Sequence, residues 1–209
     1  RENPVGDLLS ELATVRYPDG SLPELIELVK LSIFMFGAGQ DTSAKLLTNT
    51  MRFLTEDPEL QRQIRREPGL IPALLEEVLR LEGSTKVTFR LCIRDTKIGE
   101  VLVPAGKRIV VGLAAANRDP RRWENPNEFQ LNRPRIREHL AFGRGVHTCA
   151  GAPLARAEVK TILEHFLKST SNISLDEEKH GPAGNRRLEY EPSFIIRGLA
   201  SLHVEFEPA

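Results

Sequence analysis

The chain has 209 residues, 40% hydrophobic and 28% charged, enough for a well-cored domain and too evenly mixed for low-complexity segments or disorder beyond the termini. Its 29 basic and 29 acidic side chains cancel, which argues against a general attraction to nucleic acid, and its most apolar run, Leu31 to Ala38, is too short to cross a bilayer. With Cys92 and Cys149 far apart and no visible signal peptide, a disulfide framework is excluded and a cytoplasmic protein without nucleic-acid or membrane partners is expected.

In chain order, the spacing of apolar residues predicts helices over Val5 to Val15, Leu22 to Leu54, Pro58 to Arg66 and Leu70 to Leu81. β-branched enrichment between turn signals such as Pro104-Ala105-Gly106 predicts strands at Val87 to Ile93, Glu100 to Val103 and Arg108 to Gly112, read as one small antiparallel sheet. A short helical turn is expected near Leu113 to Arg118, then an aperiodic meander rich in Pro, Asn and Arg from Trp123 to Phe142. A last helix should cover Ala152 to Lys168, and the tail segments Leu188 to Tyr190, Phe194 to Ile196 and Leu202 to Phe206 read as a hairpin-like set. The expected fold class is mainly α with small antiparallel β-sheets.

Three short segments carry chemistry. In Phe142-Gly143-Arg144-Gly145-Val146-His147-Thr148-Cys149-Ala150-Gly151 a single cysteine sits in a glycine-punctuated loop just before a helix whose first turn contains Pro153. Unpaired N–H groups and the positive end of the helix dipole favour a sulfur anion there, and the glycines would let a large flat group such as a haem approach the loop. Glu76-Glu77-Val78-Leu79-Arg80 puts Glu77 and Arg80 on one helical face, a spacing that on its own is common in solvated surface pairs. Gly37-Ala38-Gly39-Gln40-Asp41-Thr42 places two glycines inside a helix, where each costs about 1 kcal/mol relative to alanine. Close helix packing or a kink could account for them.

Taken together, Gly-x-Asp-Thr, Glu-x-x-Arg and Phe-x-x-Gly-x-x-x-Cys-x-Gly, in this order along the chain, resemble the cytochromes P-450. The resemblance implies a cytochrome P-450 fold holding haem b (iron protoporphyrin IX), with Cys149 as the axial iron ligand. Gly39, Phe142, Gly143 and Gly151 would lie against the ring, and Arg90 and His147 would pair with its propionates. Asp41 and Thr42 would be the acid–alcohol pair that manages protons during oxygen activation. Glu77, Arg80 and Arg133 would form a buried network behind the haem loop, structural and not chemical. Val87, Thr88, Ile195 and Ile196 match positions that often face substrate, although core packing explains them equally well. Cys92 reads as a small buried hydrophobe.

The activity implied is haem-thiolate monooxygenation: O2 is used to oxidise a small apolar organic substrate, the thiolate favouring O–O cleavage. The sequence has no Gly-x-Gly-x-x-Gly nucleotide fingerprint, so electrons should come from outside, by analogy from a ferredoxin and its ferredoxin reductase. Arg133, Arg135, Arg137, Arg144, Arg156 and Lys160, set against Glu138 and Glu158, form a basic stretch that would suit an acidic donor or simply a solvated face, with Arg133 subtracted because the network buries it. Members of the family extend well beyond this chain on the N-terminal side. Residues 1–209 are therefore expected to be the C-terminal portion of a single domain, with its N-terminal part missing and little turnover of its own. Two other readings stay open: a haem-binding redox or sensor module without oxygenase activity, and a haem-free interaction domain.

Overall fold

The computed structural model describes residues 3–209; Arg1 and Glu2, which the sequence reading includes, lie outside the described residues. Asp7 accepts from the Ser10 N–H at 2.7 Å and caps α1 (Leu8–Thr14), so this helix begins three residues later than periodicity predicts. Helix α2 (Leu25–Glu56) likewise starts after Pro23 rather than at Leu22. Two compact units result, one ending at Asp41 and one running from Thr42 to Ala209. In the first unit, the opening of α2 carries the exposed apolar residues Leu25, Ile26, Ile33, Phe34 and Phe36.

In the second unit, Asp57 accepts from the N–H groups of Glu59 and Leu60 and Pro58 fits the first turn, which starts α3 (Pro58–Arg66) where the sequence places it. Pro68–Leu70 is a 3-10 turn, so the next helix, α4 (Ile71–Glu82), begins one residue later than expected. Every residue of α4 from Leu74 to Leu81 is buried, Glu76, Glu77 and Arg80 included. Its apolar side packs with Leu46, Met51 and Leu54 of α2, Leu60 and Ile64 of α3, and Val159, Leu163 and Leu167 of α6 (Ala152–Ser169). Burial of such side chains contributes about 1.5–3 kcal/mol each, which makes α4 the central element of the unit.

Among the described residues the strands form three separate antiparallel pairs, not one sheet. β1 (Val87–Leu91) pairs with β4 (Arg108–Gly112), Thr88 opposite Val111 and Arg90 opposite Ile109. Between them, β2 (Thr96–Ile98), absent from the sequence reading, forms its own hairpin with β3 (Val101–Val103), turned at Gly99 with φ 56°. The turn helix α5 (Leu113–Ala116) follows β4 directly.

The tail differs from the expected hairpin set. Leu202–Phe206 is read almost in place, but the strand β6 (Val204–Pro208) pairs with β5 (Thr170–Leu175), which directly follows α6. Tyr190 and Ile196 make only isolated bridges, to Leu199 and Thr85. A short helix, α7 (Glu177–His180), capped by Asp176, lies between the two strands.

Candidate functional site

The glycines determine the course of the Cys149 loop. Gly143 (φ 66°) and Gly145 (φ 81°) adopt the left-handed conformation that side-chain-bearing residues avoid, and a Cβ on Gly145 would still point into open space. Gly145–His147 forms a 3-10 turn, the Cys149 N–H donates to the Phe142 carbonyl at 2.9 Å, and the Cys149 carbonyl accepts from the Ala152 N–H that opens α6. Cys149 is exposed and carries a free thiol just ahead of the α6 N-terminus. Val146 (96% exposed) and Leu154 (61%) add open apolar surface beside it.

Behind the loop, the polar side of α4 is buried against two ionic clusters. The Glu77 carboxylate accepts five hydrogen bonds: two from Arg80 at 2.7 and 2.8 Å, two from Arg133 Nε at 2.9 and 3.1 Å, and one from the Gln130 N–H at 3.0 Å. The remaining guanidinium N–H groups donate to main-chain carbonyls of the meander and, in the case of Arg80, also to that of Asn117 at the end of α5. Arg80 takes Asn117, Pro126 and Glu128; Arg133 takes Glu124, Asn125 and Glu128. An aperiodic segment without a ladder thus has its carbonyls satisfied by planar, permanently charged forks.

Glu76, one residue earlier, anchors the loop itself. Its carboxylate accepts from Arg156 Nε at 2.5 Å and Nη2 at 3.0 Å and from His139 Nε2 at 2.9 Å. Burial pushes the Glu76 carboxyl up, but hydrogen bonds from His139 and then Arg156 outweigh it and hold the group down at about 2. The Arg156 guanidinium lies 4.5 Å from the Phe142 ring centroid and the His139 ring 6.1 Å from it. Sequence reading missed this cluster. Two adjacent glutamates in an apolar helix were the available signal.

The other candidates are placed as follows. Gly39 and Asp41 lie at the end of the first unit and Thr42 opens the second, all on α2; a Cβ at Gly37 or Gly39 would meet no heavy atom within 4 Å. Arg90 is exposed on β1 and bonds within its own strand, to Thr88 Oγ1 and the Phe89 carbonyl. His147 is exposed at the end of its 3-10 turn. Val87 and Thr88 are half-buried on β1; Ile196 is half-buried and Ile195 exposed, and the Ile195 carbonyl accepts from the Lys86 N–H. Cys92 is buried.

The basic stretch is smaller than the sequence suggests. Arg133 is buried, Arg156 is held by Glu76, Lys160 pairs with Glu164 and Glu138 pairs with Arg122, which leaves Arg135, Arg137 and Arg144 exposed. A cavity of about 330 Å³ lies between Arg137, His139, Phe142, Arg144, Thr148 and Arg156.

What could the exposed thiol hold? Among the described residues no group of three or more His, Cys, Asp or Glu side chains could bind a bare metal ion. The left-handed glycines and the exposed apolar side chains of Val146 and Leu154 leave open space beside Cys149 that suits a flat, largely apolar group. The fold and site together are those of a mainly helical protein with small antiparallel sheets that presents an exposed cysteine in a glycine loop just ahead of a helix.

The cytochrome P-450 family model matches residues 7–181, and the chain belongs to this family. Family membership implies haem. CYP150A6 from Mycobacterium marinum, in its substrate-free form, superposes with a TM-score of 0.96 at 49% identity over 100% of this chain and 52% of that one. CYP109E1 from Bacillus megaterium in complex with testosterone has a TM-score of 0.83 at 30% identity, covering 93% of this chain and 51% of that one. The monooxygenase PikC of Streptomyces venezuelae is 33% identical over 96% of this chain and 47% of its own length. The chain spans about half the length of the curated relatives it matches. Among the described residues no helix is long and apolar enough to cross a membrane.

Proposed function

We propose that residues 1–209 are the C-terminal portion of a single cytochrome P-450 domain. The whole protein is then a haem-thiolate monooxygenase of the cytoplasm that uses O2 to oxidise a small apolar organic substrate, with electrons from a ferredoxin and its reductase. The observation that carries this reading is the exposed Cys149 thiol in a loop of left-handed glycines, anchored behind by buried ionic clusters on α4.

Haem b bound there supplies the activation of O2, which the electron-donating thiolate favours. Cys149 would hold the iron as its thiolate, Gly39, Phe142, Gly143 and Gly151 would accommodate the ring, and Arg90 and His147 would neutralise the propionates. The Thr42 hydroxyl beside the Asp41 carboxylate is suited to passing protons without acting as a strong nucleophile. Val87, Thr88, Ile195 and Ile196 would contact the substrate and exclude water from it. Arg135, Arg137 and Arg144 leave an exposed cationic face for an acidic donor.

Little or no turnover is expected of this chain alone, a reading supported by the exposed apolar residues at the opening of α2, which favour association over a well-packed isolated fold. Reconstitution tests the proposal. Full-length protein with haem, ferredoxin and reductase, offered a panel of steroids and fatty acids, should consume O2 in a substrate-dependent way and release oxygenated product. Failure to form any oxygenated product while haem is stably bound would favour the redox or sensor module instead.

A further inference from the structure

A buried carboxylate at Glu76 needs a reason, because an ion pair in this position costs desolvation that an apolar side chain would avoid. Its partners supply one. His139 lies just before the Cys149 loop and Arg156 in the first turns of the helix after it, so both ends of the loop are tied to the same two oxygens. His139 Nδ1 accepts from the Ala141 N–H at 3.2 Å, which places the ring proton on Nε2, where it donates to Glu76. Arg156 binds side-on with Nε and Nη2, and its guanidinium face lies against the Phe142 ring. The Phe142 carbonyl in turn holds the Cys149 N–H.

We propose that Glu76, His139 and Arg156 are positioning residues for the thiolate: they hold Phe142 so that its carbonyl fixes the Cys149 amide, and thereby set the direction in which Sγ is presented. The proposal rests on Cys149 being the haem ligand. Glu77 and its arginines organise the meander, and Glu82, which pairs with Arg52, Arg118 and Arg197, ties down α2 and the tail. The three glutamates of α4 thus serve three different segments.

Hydrogen–deuterium exchange of the haem-free chain separates these roles. Glu76→Gln keeps the shape but loses the charge that makes the paired fork strong. It should speed exchange over residues 142–151 by about tenfold or more, with α3 and the Glu77-anchored segment 124–133 unchanged. Arg156→Lys, which keeps the charge but not the fork, should give a smaller rise in the same segment. Glu82→Gln should leave 142–151 protected and loosen residues 190–199 instead. After haem loading, Glu76→Gln should also lower the fraction of the reduced, carbon monoxide-bound protein that shows the thiolate band, and Arg156→Lys should retain more of it. Unchanged exchange at 142–151, or an increase spread evenly over the second unit, would overturn the proposal. Cys149→Ala tests the ligand assignment separately: if it leaves the spectrum unaltered, the haem reading fails while the exchange data still report on the clamp.

Discussion

Replacing Glu77 by alanine removes the acceptor of five hydrogen bonds and leaves Arg80 (1% exposed) and Arg133 (5% exposed) charged and buried. Breaking a buried ionic group from one side costs about 3–5 kcal/mol, because the stranded charges keep their desolvation penalty without its compensation. That is a large part of the roughly 5–15 kcal/mol that holds a domain together. With a urea slope of about 2 kcal/mol per molar, the midpoint should fall by roughly 2 M. Glu59 is the control: it also binds two arginines, Arg62 at 2.7 Å and Arg66 at 3.2 Å, but all three are largely exposed. Glu59→Ala should leave the midpoint where it was, since water and screening already satisfy such a pair. Urea titrations of both variants, followed by far-ultraviolet circular dichroism, make the comparison. Equal midpoints for Glu77→Ala and Glu59→Ala would refute the claim that the Glu77 network is a buried structural keystone.

Glu76 is held down at about 2 from a usual 4.5, so its charged form is favoured by folding; its contribution is complete above pH 4.5 and is lost as pH falls toward 2. Urea midpoints measured between pH 5 and pH 2 should therefore drop more for wild type than for Glu76→Gln. Gly198 is buried beneath the aliphatic part of Lys45, which reaches Glu191 at 2.9 Å, and a Cβ there would overlap Cγ, Cδ and Cε of that lysine. Gly198→Ala should destabilise by about 1–3 kcal/mol in the same assay, as overpacking does. Thr42→Ala in the full-length, reconstituted protein should lower the product formed per electron consumed, with haem binding unchanged, measured as product against reductant oxidised.

How much of this was legible in the sequence depends on how local each determinant is. Asp57 and Pro58 lie beside the helix they start, and α3 is found at its predicted bounds. β5 was missed because Thr-Ser-Asn-Ile-Ser-Leu has no strong strand composition, and its partner β6 lies some thirty residues on, past a helix and a run without ladder pairing. The Cys149 loop could be read because its glycines and its cysteine are contiguous. The Glu76 cluster could not: Glu76, Glu77 and Arg80 form one polar arc on α4, and periodicity assigns such an arc to solvent. Only the return of Arg133, His139 and Arg156 from distant segments buries it. For the same reason, the sequence reading subtracts Arg133 from the basic stretch but leaves Arg156 in it, whereas the fold uses both internally.

The central claim is that Cys149 is the thiolate ligand of a haem, and the absorption spectrum of the reduced, carbon monoxide-bound protein tests it most directly. Haem-loaded protein should show a strongly red-shifted Soret band that disappears in Cys149→Ala. Tight haem binding with the same spectrum in both proteins would contradict the assignment of Cys149 and, with it, the account of the loop.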